Sequence, residues 1–333
     1  MTSHTKQSCR IICQIMVFAA CFSGWSALCH GATESPSAPP MRAMWVYEPE
    51  TLLTSPAARA ELFQFCQPRR ITDLFLQTHF ESKSKDGSYQ IADAAKVQGF
   101  LRETTKQGLR IHALAGDPSW ALTANHGKAL ARVEALAAFN EMADASARFA
   151  GLHFDIEPHA MPEWKTASEE EKRGLLTQFV ELNAQIVERL HERAPGTLYG
   201  ADIAFWLDKV KEDGTPVYPV TFRGTTKDPT KHLLEMVDNL GLMSYRDKVE
   251  GRNGIISIVE RSIASADTAK GRAFVGVKMA NIGPKMESFF GRTEQEMNAE
   301  LRKVDEAYGS HRGYAGIAFF MYSAYKVMPQ RSQ

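Results

Sequence analysis

The chain of 333 residues has no excess charge of either sign, because 39 lysines and arginines balance 39 aspartates and glutamates. No basic stripe or block of like charges occurs, so nothing favours nucleic acid or an acidic membrane surface as a partner. Cysteine is also scarce: after residue 32, Cys66 stands alone. An intramolecular disulfide and a cysteine-based metal site are therefore excluded from that part of the chain.

Three common catalytic motifs are missing as well. The sequence has no HExxH zinc motif and no GxSxG serine motif, and no glycine-rich phosphate loop follows a predicted strand. These motifs supply zinc ligands, an activated serine and a phosphate cradle, respectively. We therefore expect neither a metal nor a cofactor. No internal repeat is evident, which argues against a solenoid.

Residues 1–32 have the pattern of a secretory signal peptide. Lys6 and Arg10 precede a mostly apolar stretch, residues 11–28, and small residues follow it. This order is typical of a segment that is removed on export. We expect an exported protein, periplasmic or extracellular, with no stable membrane insertion after cleavage. An uncleaved anchor is the alternative, because the apolar stretch is close to the length that spans a bilayer.

The rest of the chain divides into a linker and one domain. Residues 33–40, TESPSAPP, form a Pro/Ser-rich linker. Residues 41–328 are long enough for a single large α/β core. Cys66 lies in an amphipathic helical pattern, which predicts a small buried side chain.

From residue 41 onward, short apolar runs alternate with longer amphipathic segments. Predicted strands cover residues 42–47, 71–80, 110–115, 151–160, 198–205, 240–245, 274–279 and 316–322. Predicted helices cover residues 57–67, 92–107, 128–148, 168–194, 232–239, 255–269 and 294–307. Eight strand units with nearly continuous apolar character predict a parallel (β/α)8 TIM barrel. A doubly wound open sheet is the alternative fold.

The predicted fourth strand, GLHFDIEPHA, carries an unusual polar row. His153, Asp155 and Glu157 occupy alternate positions among apolar neighbours. Residues two apart in a strand point to the same face, so these side chains share one face. Burying unpaired charges is costly, and such rows often mark functional sites. Pairing with lysine or arginine at a strand end is the structural alternative.

Other polar and aromatic residues follow the predicted strands at their carboxyl ends, where barrel enzymes build their sites. The opposite strand ends are expected to carry far fewer ionisable groups. Trp45, Trp120, Trp164 and Trp206 either stack on sugar rings or pack within the protein. The candidate substrate-binding residues are Trp45, Glu48, Gln77, His79, Asp117, Trp120, His159, Asp202, Trp206, Arg246, Asp247, Lys278 and Tyr322.

The run AGLHFDIE resembles the strand-four signature DxxDxDxE of family 18 (chitinase-type) glycoside hydrolases, with Asp155 and Glu157 at its last two acidic positions. Residues 243–245, MSY, are similar to the family's MxY motif on strand six. Ala150 and His153 stand where the family has its first two acids, and ALAGDPSW replaces its glycine-rich strand-three motif. Family 25 lysozyme-like barrels also use a DxE strand. The resemblance implies a barrel that hydrolyses a glycan with N-acetylated amino sugars.

Hydrolysis of a glycosidic bond requires an acid that protonates the leaving oxygen and a group that stabilises the oxocarbenium-like centre. Glu157, at the strand tip, suits the acid role, and ionised Asp155 would raise its pKa by repulsion. Two carboxylates on one strand cannot readily straddle a sugar ring. The resemblance implies attack by the substrate's own 2-acetamido oxygen, oriented by Asp155 and hydrogen-bonded to Tyr245. The expected partner is a polysaccharide or oligosaccharide.

Three alternatives remain. A retaining glycosidase with two carboxylates would need a nucleophile on strand seven, but that strand ends in KMA without a glutamate. A non-catalytic glycan-binding barrel is favoured by the missing first acids of the strand-four signature. A metal-dependent hydrolase would use His79, Asp155 and His159 as ligands.

Overall fold

The computed structural model describes residues 40–83 and 87–330, so the predicted signal peptide and nearly all of the predicted linker lie outside the described residues. Within the described part, eight parallel strands close into a barrel, and strand one pairs with strands two and eight. The barrel strands, numbered one to eight in chain order, are Met41–Val46, Asp73–Gln77, Arg110–Ala115, Gly151–Phe154, Leu198–Ala204, Asn239–Met243, Arg272–Lys278 and Tyr314–Phe320. The predicted (β/α)8 barrel is confirmed.

Helices connect successive barrel strands and cover the outside of the barrel. Their bounds are Glu50–Thr54, Pro56–Cys66, Ala94–Lys106, His126–Met142, Glu169–Arg193, Pro229–Leu234, Ile255–Ala266, Glu294–Tyr308 and Tyr322–Tyr325. Ser168 and Glu171 form a capping box at the start of the longest helix. Cys66 is buried, as predicted. None of the helices in the described ranges has the length and apolar character needed to cross a membrane.

Side chains along each barrel strand alternate between an outer and an inner core. In strand one, Met44 and Val46 join the large cluster beneath the helices, whereas Trp45 joins a small cluster inside the barrel. There the ring of Trp45 lies 5.3 Å from that of Phe75 and 6.0 Å from that of Phe274. Because both faces are buried, the strands have nearly continuous apolar sequences.

Most predicted elements lie within a few residues of the observed ones, and the differences have local causes. Strand four ends at Phe154, and a 3₁₀ turn, Pro158–Ala160, follows because proline cannot donate to a strand ladder. The helix predicted at residues 232–239 covers Pro229–Leu234 instead. Its start is fixed by Asp228, whose side chain accepts the first-turn backbone N–H of Lys231 at 3.0 Å.

Two antiparallel hairpins are absent from the sequence prediction. Phe80–Ser82 pairs with Tyr89–Ile91 in the connection after strand two, and Val220–Phe222 pairs with Thr225–Lys227 in the connection after strand five. Each of these strands has three residues, which is too short for an alternating pattern to be recognised. Both hairpins enlarge the loops at the carboxyl end of the barrel.

Polar side chains point into the barrel from strands three, four and five, and a glycine on the next strand accommodates each of them. A β-carbon added to that glycine would lie 2.0–2.4 Å from the polar side chain, far inside van der Waals contact. These positions therefore require glycine. The three pairs are His112 with Gly151, His153 with Gly200, and Asp202 with Gly241.

Gly151→Ala is expected to destabilise the barrel by about 1–3 kcal/mol, because the added methyl group would meet His112 Nδ1 and the backbone oxygen of Leu198. Gly99→Ala is the matched control. Gly99 lies within a helix and has open space around an added β-carbon, so alanine should stabilise the protein by roughly 0.5–1 kcal/mol. Urea unfolding measures both changes. Equal stability of the two variants would contradict the tight packing of His112.

Candidate active site

Strands one, four, five and six bring two phenols and three carboxyl groups together at the carboxyl end of the barrel. Burial raises the pKa of Tyr245 well above its ordinary value, and the negative charges nearby raise it further. Burial and the same carboxylates also raise the pKa of Tyr47. Both phenols are therefore neutral hydrogen-bond donors at physiological pH. The carboxyl groups that act on them belong to Asp155, Glu157 and Asp202.

Asp155 lies just beyond strand four, where its backbone N–H donates to Ala115 O at 2.9 Å. Its Oδ1 atom is shielded from solvent and has no hydrogen-bond partner among the described residues. Burial raises the pKa of Asp155 well above its ordinary value, and repulsion from Asp202 and Glu157 adds to this shift. A β-carbon on Gly116 would lie 1.9 Å from the Asp155 carbonyl oxygen. The turn after strand three therefore packs directly on this residue.

Glu157 follows at the rim of the barrel. Buried Ile156 anchors the chain between the two carboxyl groups, whereas the Glu157 side chain stays 31% exposed. Its Oε2 atom lies 3.2 Å from Nε2 of His159. The predicted polar row of His153, Asp155 and Glu157 thus runs from the barrel interior to the solvent.

Asp202, on strand five, lies inside the barrel and is 2% exposed. Its Oδ2 atom accepts a hydrogen bond from the indole N–H of Trp45 at 3.1 Å and lies 2.9 Å from Nε2 of His153. The imidazole ring is poorly aligned for donation at that distance and stacks on Phe75 with ring centroids 4.0 Å apart. Burial raises the pKa of Asp202 well above its ordinary value and lowers the pKa of His153 to about 3.

Four rings form a continuous aromatic group beside Glu157: His159, Trp164, Trp206 and Tyr218. Their contacting centroids lie 5.3–6.4 Å apart, and each ring is half-buried. The sequence indicates both tryptophans but not the tyrosine, because the latter lies in the long loop after strand five, away from any strand end. The group offers partly exposed ring surface next to a carboxyl group.

Three predicted residues lie at the rim of strands one and two. The Gln77 Oε1 atom accepts a hydrogen bond from the backbone N–H of Glu48 at 3.0 Å. His79 Nε2 lies 3.0 Å from Glu50 Oε1. A cavity of about 330 Å³ opens there, with Gln77, His79 and Glu50 in its lining.

Strand seven and the loop after strand six contribute Lys278 and Arg246, respectively, to the same end of the barrel. Lys278 is buried, and its Nζ atom lies 3.0 Å from Glu287 Oε2 and 5.1 Å from the ring centre of Tyr245. Arg246 donates to the carbonyl oxygen of Tyr245 at 2.7 Å, and Asp247 accepts from an arginine of the next loop at 3.3 Å. Glu287 was not predicted as a site residue, because it lies in a loop and not at the end of a strand.

The other predicted residues make structural contacts. Trp45, Trp120 and Tyr322 are 1%, 7% and 7% exposed, so their rings offer little surface to a sugar. Trp45 and Trp120 therefore pack within the protein, which is one of the two possibilities that the sequence left open for the tryptophans. Asp117 accepts the backbone N–H of Ser119 at 2.8 Å and caps a 3₁₀ turn.

The amino end of the barrel is also highly charged, so the expectation of far fewer ionisable groups there is wrong. Two arginines at this end pair with carboxylates of Asp305 and Asp73. The arginines and Asp73 stand at or next to the first residues of strands, whereas the sequence prediction considered the carboxyl ends of the strands. A cavity of about 850 Å³ is lined there by Arg42, Arg70, Arg110, Asp238 and Arg272.

The part of the chain that the structure describes contains no set of side chains that could bind a metal ion. No three His, Cys, Asp or Glu side chains are grouped there in a way that could hold one. His79 contacts Glu50, and His159 contacts Glu157. The trio of His79, Asp155 and His159 required by the metal-dependent alternative is therefore not assembled.

No protein-family model matches this chain, and no curated protein matches its sequence. Solved structures with a similar fold include chitinases and other glycoside hydrolases. An exo-β-1,4-mannosidase from Opitutaceae bacterium strain TAV5 matches with a TM-score of 0.56 and 11% identity, over 85% of this chain and 52% of that chain. The spore cortex-lytic enzyme SleL of Bacillus megaterium matches with a TM-score of 0.50 and 12% identity, over 86% and 72%.

A family 18 N-acetylglucosaminidase from Paenibacillus barengoltzii is also similar, with a TM-score of 0.48 and 14% identity, over 86% of this chain and 96% of that chain. At such low identities, the likeness concerns the fold. The chain is thus a (β/α)8 barrel, and the likeness to these solved structures extends to the fold.

The lowered pKa of His153 predicts acid sensitivity. Because the folded protein disfavours the charged imidazole, the stabilisation is present above the unfolded pKa of about 6.5 and is lost as pH falls towards the folded pKa of about 3. His153→Gln removes this titration. Relative to the parent, the variant should gain about 1.4 kcal/mol of stability for each pH unit below 6.5.

Denaturant unfolding between about pH 7 and pH 4 measures this gain. His191→Gln is the matched control, because His191 is exposed near the end of a long helix. This control should not show the gain of about 1.4 kcal/mol per pH unit that is expected for His153→Gln. A constant difference between His153→Gln and the parent would show that His153 does not resist protonation in the folded state.

Proposed function

We propose that this protein is an exported glycoside hydrolase that cleaves a glycan containing N-acetylated amino sugars, with Glu157 as the general acid/base. The observation that carries the proposal is the row of carboxyl groups at the end of strand four. Glu157 is partly exposed at the rim, and Asp155 has one buried oxygen and belongs to the same group of charges that raises the pKa of half-buried Tyr245.

Glu157 has the exposure that a proton donor to a substrate needs. Its side chain is 31% exposed at the barrel mouth, and Nε2 of His159 lies 3.2 Å from one of its carboxyl oxygens. Protonation of the glycosidic oxygen by Glu157 would let the leaving sugar depart, and the same group would then activate water. The partly exposed aromatic group beside it suits the apolar faces of neighbouring sugar rings.

The other carboxyl groups favour participation by the substrate over a second protein nucleophile. Asp202 is 2% exposed, so it cannot reach an anomeric carbon above the mouth. Glu287 is held by Lys278. In this proposal Asp155 orients a 2-acetamido group, and the neutral phenol of Tyr245 donates a hydrogen bond to the oxygen of that group.

Export is part of the proposal because of the charged, apolar and small-residue order within residues 1–32. The substrate would then be met in the periplasm or outside the cell. A cell-wall or exopolysaccharide glycan fits both the location and the amino-sugar chemistry.

A non-catalytic glycan-binding barrel is the second candidate. It is favoured by Ala150 and His153, which stand where the resembling family has acids. Such a protein would keep the aromatic group and the cleft but release no product. The two candidates differ in turnover and not in binding.

Glu157→Gln is expected to lower the rate of glycan cleavage at least about a hundredfold, because the amide cannot donate the proton that the leaving oxygen requires. The measurement is release of reducing ends from chitin, peptidoglycan and exopolysaccharide oligomers by the mature protein. Glu163→Gln is the control, since Glu163 is exposed on the neighbouring 3₁₀ turn. Sugar binding without product from any glycan would favour the binding barrel instead.

Trp206→Ala is expected to weaken binding of an oligosaccharide about two- to tenfold, because the loss of one ring contact corresponds to roughly 0.5–1.5 kcal/mol. Titration calorimetry on the Glu157→Gln protein measures affinity without turnover. Met142→Ala is the control, since Met142 is 85% exposed at the end of a helix. Unchanged affinity in Trp206→Ala would remove the aromatic group from the binding site.

A further inference from the structure

We propose that the pocket at the loop after strand six binds an anionic substituent of the glycan, an assignment that rests on the function proposed above. The pocket has a volume of about 460 Å³ and is lined by residues 246–248 and 250–254 and by Met286. The ligand group is a carboxylate or a phosphate on a sugar. The charges in the lining and the position of the pocket beside the mouth carry this assignment.

Three cations line the pocket without a carboxylate partner among the described residues. Lys248 and Arg252 are exposed, and Arg246 is half-buried. The only polar contact of the Arg246 guanidinium in the described ranges is the carbonyl oxygen of Tyr245, to which it donates at 2.7 Å. Guanidinium and ammonium groups that lack a carboxylate partner are suited to bind carboxylates and phosphates.

The two acids of the lining have cations of their own. Asp247 Oδ2 lies 3.3 Å from Arg292 Nη2. Glu250 Oε2 lies 2.6 Å from Lys303 Nζ, which also contacts Glu300, and the Glu250 side chain is 66% exposed. Its negative charge is therefore screened by solvent as well as by the lysine. Because neither acid pairs with a cation of the lining, the pocket retains an excess of positive charge.

The backbone of the loop is fixed before any ligand binds. The N–H of Ile255 donates to the carbonyl oxygen of Lys248 at 3.0 Å. A β-carbon on Gly254 would lie 2.4 Å from the backbone oxygen of Glu250, so the chain turns back closely on itself. A fixed loop loses little conformational entropy on binding. Attraction for an anion thus comes from the side chains of the loop.

The pocket adjoins the candidate active site on two sides. Arg246 directly follows Tyr245, and its guanidinium carbon lies 4.9 Å from the ring centre of Phe205, which precedes a tryptophan of the aromatic group. On the other side, Met286 precedes the glutamate that pairs with Lys278. A glycan bound at the mouth therefore passes beside the pocket, where a charged group on a neighbouring sugar meets the three cations.

The first experiment compares a charged ligand with a neutral ligand of nearly the same shape. Titration calorimetry on the Glu157→Gln protein measures binding of a peptidoglycan disaccharide with a free N-acetylmuramic acid carboxylate and of its methyl ester. N-acetylglucosamine 6-phosphate and N-acetylglucosamine form the second pair, which separates phosphate from carboxylate. In at least one pair, the anion should bind about three- to tenfold more tightly than the neutral ligand.

Addition of Lys248→Gln and Arg252→Gln together should reduce that preference to less than about twofold. Lys106→Gln is the matched control, because Lys106 is exposed at the end of a helix and has no ion-pair partner among the described residues. The control should keep the full preference. Equal affinity for the charged and neutral members of both pairs, or an unchanged preference in the double variant, would overturn the proposal.

The second experiment separates this site from the proposed function. In ¹⁵N NMR of the full mature protein, the backbone signals of residues 246–254 should shift with N-acetylmuramic acid or N-acetylglucosamine 6-phosphate and should not shift with N-acetylglucosamine. Such shifts without cleavage of any glycan would reject the proposed function and support an anion site. Glycan cleavage with no shift of these signals by either anionic sugar would support the proposed function and overturn the anion site.

Discussion

The contact between His153 and Asp202 is the constraint around which the barrel interior is arranged. Two polar side chains that are 0% and 2% exposed must be accommodated where other barrels carry branched apolar residues. Gly200 and Gly241 leave the space for them, and Trp45 turns its N–H towards Asp202. Phe75 covers the imidazole face. A barrel with larger residues at the two glycines could not hold this pair.

Buried carboxyl groups have different hydrogen-bond partners at the two ends of the barrel. At the amino end, Asp73 has three donors or cations around it, including Arg110, so its charge is compensated and the network joins neighbouring strands. Near the carboxyl end, Asp155 and Asp202 each have a buried oxygen without a partner in the described part of the chain. Unsatisfied polar groups are expensive in a folded protein and are therefore concentrated at functional sites. We infer from this contrast that the carboxyl groups at the amino end stabilise the fold, whereas those near the carboxyl end belong to the candidate site.

The sequence alone predicts most of the fold, because each strand carries a nearly continuous apolar run and helical segments separate the strands. It also places Asp155 and Glu157 at a strand end, since their spacing needs only the period of a strand. It does not show which tryptophan is buried. Trp45 and Trp206 have similar sequence surroundings, yet Trp45 is enclosed by rings from three other strands. Which tryptophan is buried depends on contacts between strands that are distant in sequence and meet only when the barrel closes.

Contacts between distant loops explain the remaining misses. Tyr218 and Glu287 reach the site from loops whose path depends on a hairpin and a 3₁₀ turn, and short elements leave no periodic pattern. The surroundings of Asp202 could not be predicted for another reason. An aspartate on an inward strand position predicts a polar site, but its charge depends on the number of donors around it. Strand pairing across the barrel sets that number, so the chemistry of this acid follows from the fold as a whole.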